Sequence, residues 1–248
     1  IFKWVILAVW TLSWGGCSDF LNEESQDEVI PKTVTDFSEL LMGSGYPSTS
    51  NYPGAICAQL DDDKEMNWLA QELSGNVLGS TAAEEWYPMF TWQPDMFRRN
   101  EGVALASTEY YQFYERIKGC NAVLDYIGDA IGTEVEREKV QAEALALRAY
   151  YYFWLVNLYG EPYNYNKTAL GVPLKLVSAV NEEIGGPRET VEKVYERILE
   201  DLNASVRLFE KYEVVIGNYR INLPAVKVLL SRVYLYMEQW SDAAQAAT

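Results

Sequence analysis

A cysteine behind a short apolar segment is the first residue of this sequence whose surroundings suggest chemistry. Lys3 gives the segment a single positive charge, an apolar run follows, and Gly15 and Gly16 stand directly before Cys17. A positive start, a short apolar run and small residues at a cut are typical of a secretory signal. A cysteine at the cut can take a lipid on its sulfur. The sequence therefore predicts a signal peptide over residues 1–16 and a lipid on Cys17.

The same segment has two other interpretations, a buried N-terminal helix and a single transmembrane anchor. The apolar run from Val5 to Gly16 is shorter than the ~20 residues that a spanning helix needs. Residues 18–35 then turn polar and acidic, contain Pro31 and show no periodicity. We expect residues 17–35 to form an extended leader between the lipid and the folded body.

The composition excludes several kinds of active site. The 248 residues contain no His, which removes the Ser-His-Asp triad, the Cys-His pair and every His-ligated metal site. The net charge of −16 argues against nucleic acid and against a basic face for anionic lipid. The 36 acidic residues leave a glycosidase-like carboxylate pair open, but no catalytic motif surrounds them. We therefore expect no enzyme, no cofactor and no metal site.

The remaining candidates for chemistry have simpler interpretations. An acidic run, Asp61 to Asp63, could bind Ca²⁺ through carboxylates, but a solvated loop is the expected reading. Cys57 and Cys120 could pair in an exported protein, although we expect two buried thiols. Glu143 and Arg148 are not spaced as a helical ion pair, so each should contact backbone or another helix.

The elements that position these residues are predicted to be helices, because apolar residues recur at helical spacing. From Ala144 to Tyr159 one helix is apolar on all faces and ends at Gly160, which predicts a core helix. Thr35 or Asp36 should cap the first helix, and Thr190 a later one. The predicted helices are Asp36–Met42, Ser107–Ile127, Glu134–Tyr159, Glu189–Leu208, Leu223–Met237 and one that starts near Ser241.

The end of the chain resembles a tetratricopeptide hairpin. Small Ser231 lets the first helix approach a neighbour, Tyr234 packs across, Trp240 lies in the turn, and Ala243 lets the second helix close in. The second helix stops at Thr248, and repeats need neighbours to bury their apolar stripes. We therefore expect the body, residues 36–248, to be truncated at its C-terminus.

Six stretches along the chain together carry a family resemblance: Cys17 with its acidic tail, Tyr111 to Leu124, Glu143 to Gly160, Gly171 to Leu174, Val194 to Leu202, and Arg220 to Ala243. With these residues the chain resembles the SusD/RagB family of nutrient-binding lipoproteins of Bacteroidetes. The resemblance implies an all-α fold of tetratricopeptide-like helical hairpins with long irregular loops, of which this chain is the N-terminal half. It also implies a lipid-anchored protein at the cell surface that binds oligosaccharides and caps a SusC-type TonB-dependent transporter of the outer membrane.

Within that resemblance, the loop-rich stretch 54–103 is the expected place for ligand contacts, because binding residues tend to lie on loops held by a scaffold. Sugars stack their C–H-rich faces on flat aromatic rings, which makes Trp68, Trp86, Tyr87 and Trp92 the candidates. Core packing is the alternative for each of them, and for Trp92 the two are evenly balanced. A tetratricopeptide scaffold that binds a peptide or protein is the alternative function.

Overall fold

A computed structural model describes residues 30–47, 91–93, 105–179, 186–213 and 219–248, without the side chains of residues 105–109. The elements below lie in one compact unit, Lys32–Thr248. Its described residues form an all-α fold of six α-helices. They are α1 (Val34–Leu40, continued by a π-helical turn, Leu41–Gly45), α2 (Leu105–Tyr126, followed by a 3-10 turn, Ile127–Asp129), α3 (Glu134–Tyr159), α4 (Val191–Phe209), α5 (Leu223–Tyr236) and α6 (Trp240–Ala246).

Helix α3 is the centre of the fold. It packs against α2 on one side and α4 on the other, and its residues from Ala144 onward are mostly buried, which confirms the predicted core helix. Tyr151 and Tyr152 are fully buried. Tyr150 and Trp154 are partly buried and pack against this core.

The helix starts are set by side-chain caps. At α1 the cap is Thr33 and not Thr35 or Asp36, because the Thr33 hydroxyl accepts from Asp36 N while the Asp36 carboxylate accepts from Thr33 N at 2.8 Å. This reciprocal pair satisfies two otherwise unpaired amides. Thr190 caps α4 as predicted, and its hydroxyl accepts from Lys193 N at 3.3 Å.

The α5–α6 pair confirms the predicted tetratricopeptide-like hairpin. The Ser231 hydroxyl donates to the Ala243 carbonyl at 2.8 Å, and Ala243 is buried. Trp240 does not lie in the turn: it is the first residue of α6, behind Gln239, and its side chain is exposed. The close contact between Ser231 and Ala243 therefore joins the two helices. The exposed Trp240 indole is not part of this contact. No helix among the described residues is long and apolar enough to cross a membrane.

Candidate functional site

The chain leaves α1 through a π-helical turn that is tied to the core helices. Arg116 Nη1 donates to the carbonyls of Gly43 and Ser44 at 3.0 and 3.3 Å, and the Tyr151 hydroxyl donates to Gly45 O at 2.6 Å. The last carbonyls of a helix have no partner within the helix, and these side chains satisfy three successive ones. The last described residues before the loop-rich stretch are therefore fixed in place by α2 and α3.

Beside this turn lies a buried cluster of Tyr46, Glu143 and Arg220. The Tyr46 hydroxyl donates to Glu143 Oε2 at 2.6 Å, and Arg220 Nε donates to the same oxygen at 2.8 Å. Burial raises the pKa of Glu143 above its ordinary value, against the opposing influence of Tyr46 and Arg220. Glu143 thus joins three separate segments, in the structural role that its sequence context predicts.

A second buried network centres on Arg148. Its Nε and Nη2 donate to the two oxygens of Asp201 at 2.8 and 2.9 Å, and Nη1 donates to Asn121 Oδ1 at 2.8 Å. Burial works to lower the pKa of Arg148, but the hydrogen bonds and charge of Asp201 outweigh it and raise the pKa. Arg197 also donates to Asp201 from the preceding turn of α4. Arg148 therefore links α3 to α2 and α4, which confirms the expected contact with another helix.

The Arg148 network continues to residues 171–178, an extended segment that we call the strap. Asn121 Nδ2 donates to the carbonyls of Lys175 and Val177 at 2.8 and 3.3 Å. The Tyr152 hydroxyl donates to Lys175 O at 2.8 Å and accepts from Lys175 N at 2.7 Å. The Tyr114 hydroxyl donates to Pro173 O at 2.7 Å. Side chains of α2 and α3 thus hold the strap by its main chain.

Sequence reasoning did not find these strap contacts. The residue pattern places Asn121, Tyr114 and Tyr152 on helices without indicating their partners. The available signal was the polar Asn121 within the apolar stripe of α2, because a buried amide needs a hydrogen-bond partner.

Of the predicted ligand contacts, Trp92 is the one that falls on described residues. It lies in a turn with φ of 51° and a side chain that is 62% exposed. A positive φ costs a non-glycine residue ~1–2 kcal/mol. The ring is available for contact and is not part of the core. Trp68, Trp86 and Tyr87 lie outside the described residues and stay predictions.

The predicted cysteines and the acidic run supply no reactive group within the described part of the chain. Cys120 is a free, fully buried thiol, and burial raises its pKa to about 12. Cys17, Cys57 and the run from Asp61 to Asp63 lie outside the described residues. Elsewhere in the described ranges no group of three or more His, Cys, Asp or Glu is arranged to hold a metal ion.

The helical hairpins and the core helices with their connecting loops place the protein in the tetratricopeptide-like, all-α class. A sequence profile of the SusD-like family, described as starch-binding and associating with the outer membrane, matches residues 19–235. The chain therefore belongs to the SusD-like family. Among curated proteins no sequence matches it.

Solved structures agree with this fold. A SusD superfamily protein from Bacteroides fragilis superposes with a TM-score of 0.68 at 22% identity, over 87% of this chain and 49% of that one. A SusD-like carbohydrate-binding protein from Bacteroides vulgatus gives 0.63 at 22%, over 87% and 44%. A laminarin-binding SusD-like protein gives 0.62 at 23%, over 87% and 42%. The chain thus spans less than half the length of each of these structures.

Proposed function

We propose that this protein is a glycan-binding lipoprotein of the cell surface that captures oligosaccharides and performs no chemistry on them. The match of residues 19–235 to a starch-binding, outer-membrane-associated family carries the proposal. The sequence supports it, because the chain lacks His and its charge of −16 suits a neutral ligand better than an anionic one. The protein then passes the oligosaccharide to a SusC-type TonB-dependent transporter.

In this proposal Trp92 stacks on a sugar ring, together with one or more of Trp68, Trp86 and Tyr87. Stacking removes the C–H face of a sugar and one face of the indole from water. At ~25 cal/mol per Å², a contact of ~80 Å² contributes about 2 kcal/mol, or roughly a thirtyfold change in affinity. The exposure of Trp92 supports this role.

The test is calorimetric titration of the full-length protein with a panel of neutral glycans that includes maltoheptaose and laminarihexaose. Trp92→Ala should weaken binding about thirtyfold. The matched control is Trp240→Ala, because Trp240 is also 62% exposed but lies on α6. The control should bind within about twofold of wild type, and circular dichroism should show both variants folded.

Three outcomes go against parts of this proposal. If wild type binds no glycan of the panel, the proposed function is wrong. If Trp92→Ala binds like wild type, the ligand contacts lie elsewhere, with Trp68, Trp86 and Tyr87 the next to change. If wild type releases shorter products from a bound glycan, the protein is an enzyme.

The location of the protein follows from Cys17 in the same proposal. A single acyl chain anchors only marginally, so retention at the outer membrane needs more than one chain on the cysteine. Cys17→Ala should move the protein from the outer-membrane fraction to the soluble fraction and abolish co-purification with the transporter from membranes. A variant that stays with the membrane as firmly as wild type rules out this anchor.

The alternative function, a tetratricopeptide scaffold for peptides, is less favoured by the described residues. The strap lies along α2 and α3, and Asn121 and Tyr152 already bind its main chain. A peptide that used these same groups would have to displace a segment of the chain itself.

A further inference from the structure

The loop after α3 forms a turn with a dense set of internal hydrogen bonds. The Pro162 carbonyl accepts from Tyr165 N at 3.0 Å and from Asn166 N at 3.2 Å, and Ala169 N donates to Asn166 O at 3.1 Å. The Thr168 hydroxyl donates to Asn166 Oδ1 at 3.0 Å. The backbone conformation of residues 162–169 is thus fixed locally.

The same loop is attached to the start of α4. Glu192 N donates to Lys167 O at 2.8 Å, and Val191 N donates to Ala169 O at 2.9 Å. The Lys167 ammonium pairs with the Glu192 carboxylate at 2.9 Å. The loop therefore satisfies unpaired amides of the first turn of α4, and the cation within it is neutralised by its neighbour.

Two tyrosines of this loop have opposite environments. The ring of Tyr163 lies 4.9 Å from the ring of Tyr195, which is fully buried, and so anchors the loop to the core. Tyr165 is 81% exposed and makes neither a hydrogen bond through its side chain nor a ring contact with any residue of the described part of the chain. The exposed ring of Tyr165 thus stands on a turn whose backbone is already fixed by hydrogen bonds.

We propose that residues 161–169 form a second carbohydrate contact, with the ring of Tyr165 as its stacking surface and the flanking amides of Asn164 and Asn166 for sugar hydroxyls. Both amides are exposed. This inference rests on the proposed glycan binding, and it adds a site distinct from the predicted Trp92 region. The chemistry fits a neutral polyol, because the loop offers a flat ring and amide donors and acceptors while its cation is paired with Glu192.

A protein partner fits the loop less well. A stable protein interface buries ~800 Å² on each side with an apolar centre. Tyr165 stands among exposed polar residues, Asn164, Asn166, Lys167 and Thr168. One ring in polar surroundings suits the face of one sugar residue. The fixed backbone also helps, because a site that is already ordered loses little conformational entropy on binding.

The test uses the full-length protein in native gels that contain soluble starch or laminarin, and calorimetry with maltoheptaose and laminarihexaose. Tyr165→Ala should weaken binding about tenfold, as expected for the loss of ~55 Å² of apolar contact. Tyr165→Phe keeps the ring and should bind within about twofold of wild type. The matched control is Tyr219→Ala, because Tyr219 is fully exposed at a different place, before α5.

The outcomes separate this inference from the proposed function. If wild type binds these glycans and Tyr165→Ala binds them equally well, the second contact is wrong while the proposed function stands. If Tyr165→Ala keeps glycan binding but loses co-purification with the transporter, the loop contacts a protein and the inference is wrong. A wild type that binds neither glycan contradicts both. An equal loss in Tyr165→Ala and Tyr219→Ala also contradicts the inference, because it is not specific to the loop.

Discussion

The buried guanidinium of Arg148 offers the sharpest test of how this fold is held together. Arg148 and Asp201 are 3% and 1% exposed, and two parallel hydrogen bonds join them. Arg148→Met keeps the apolar stem but removes the charge and every donor. It leaves the Asp201 carboxylate buried with Arg197 as its remaining basic partner, and it leaves Asn121 Oδ1 without its donor.

Removing one partner of a buried ion pair costs about 3–5 kcal/mol, because the other charge stays buried without compensation. Arg197 still neutralises part of the Asp201 charge, so we expect the lower end, about 3 kcal/mol. Arg148→Lys should lose about half as much, since an ammonium keeps the charge but cannot supply two parallel hydrogen bonds. A domain with ~5–15 kcal/mol of stability stays folded in both variants.

Urea unfolding followed by far-ultraviolet circular dichroism measures these losses. The control is Lys193→Met, which breaks an exposed pair with Glu189 at 2.9 Å and should cost less than ~0.5 kcal/mol. The reasoning is refuted if Arg148→Met unfolds at the same urea concentration as Lys193→Met. It also fails if Arg148→Lys is as destabilised as Arg148→Met, because the retained charge would then contribute nothing.

Two further predictions concern packing and the buried thiol. Gly119→Ala should lower the free energy of unfolding by ~1–3 kcal/mol in the same urea assay, because an added Cβ would lie 2.5 Å from the backbone of Ser44. The control is Gly128→Ala, which has open space around it and should stay within ~1 kcal/mol of wild type. Equal losses would contradict the close contact. With the other cysteines changed to Ser, Cys120 should resist a thiol reagent at about pH 8 until urea unfolds the chain, because burial raises its pKa to about 12. Rapid labelling of the folded protein would show that the thiol is accessible.

Much of the fold could be predicted from local sequence. The bounds of α3 follow from its polar start and from the Gly160 that ends its apolar run. The α5–α6 hairpin follows from the spacing of Ser231 and Ala243, since two small residues at these positions let helices approach closely. In both cases residues near in sequence carry the signal, so the pattern alone identifies the element.

The features that the sequence did not predict depend on contacts between segments that are far apart along the chain. The cap of α1 was misplaced because Thr33, Thr35 and Asp36 are all good capping residues. Val34 N donates to Ile131 O at 3.0 Å, which holds the chain extended just before the helix and selects Thr33. Likewise, helical spacing showed that Arg148 does not pair with Glu143, but its partner Asp201 lies 53 residues away.

The ligand contacts predicted from the sequence stay predictions. Among them Trp92 falls on the described residues, where it is exposed. Tyr165 was not singled out, because nothing in the spacing of Tyr163 and Tyr165 indicates which ring packs inward. That difference depends on the Tyr195 ring, which α4 brings to the loop.

The way in which the strap is held has a consequence for how this region tolerates mutation. Asn121, Tyr114 and Tyr152 bind main-chain carbonyls, which every amino acid supplies, and one amide N–H, that of Lys175, which every amino acid except proline supplies. Substitutions at Lys175 and Val177, whose side chains do not belong to the core cluster, should therefore be tolerated better than an insertion or deletion there. A one-residue shift would move each carbonyl away from its donor, while a changed side chain would leave the hydrogen bonds in register. Length, more than sequence, is the constrained property of this segment.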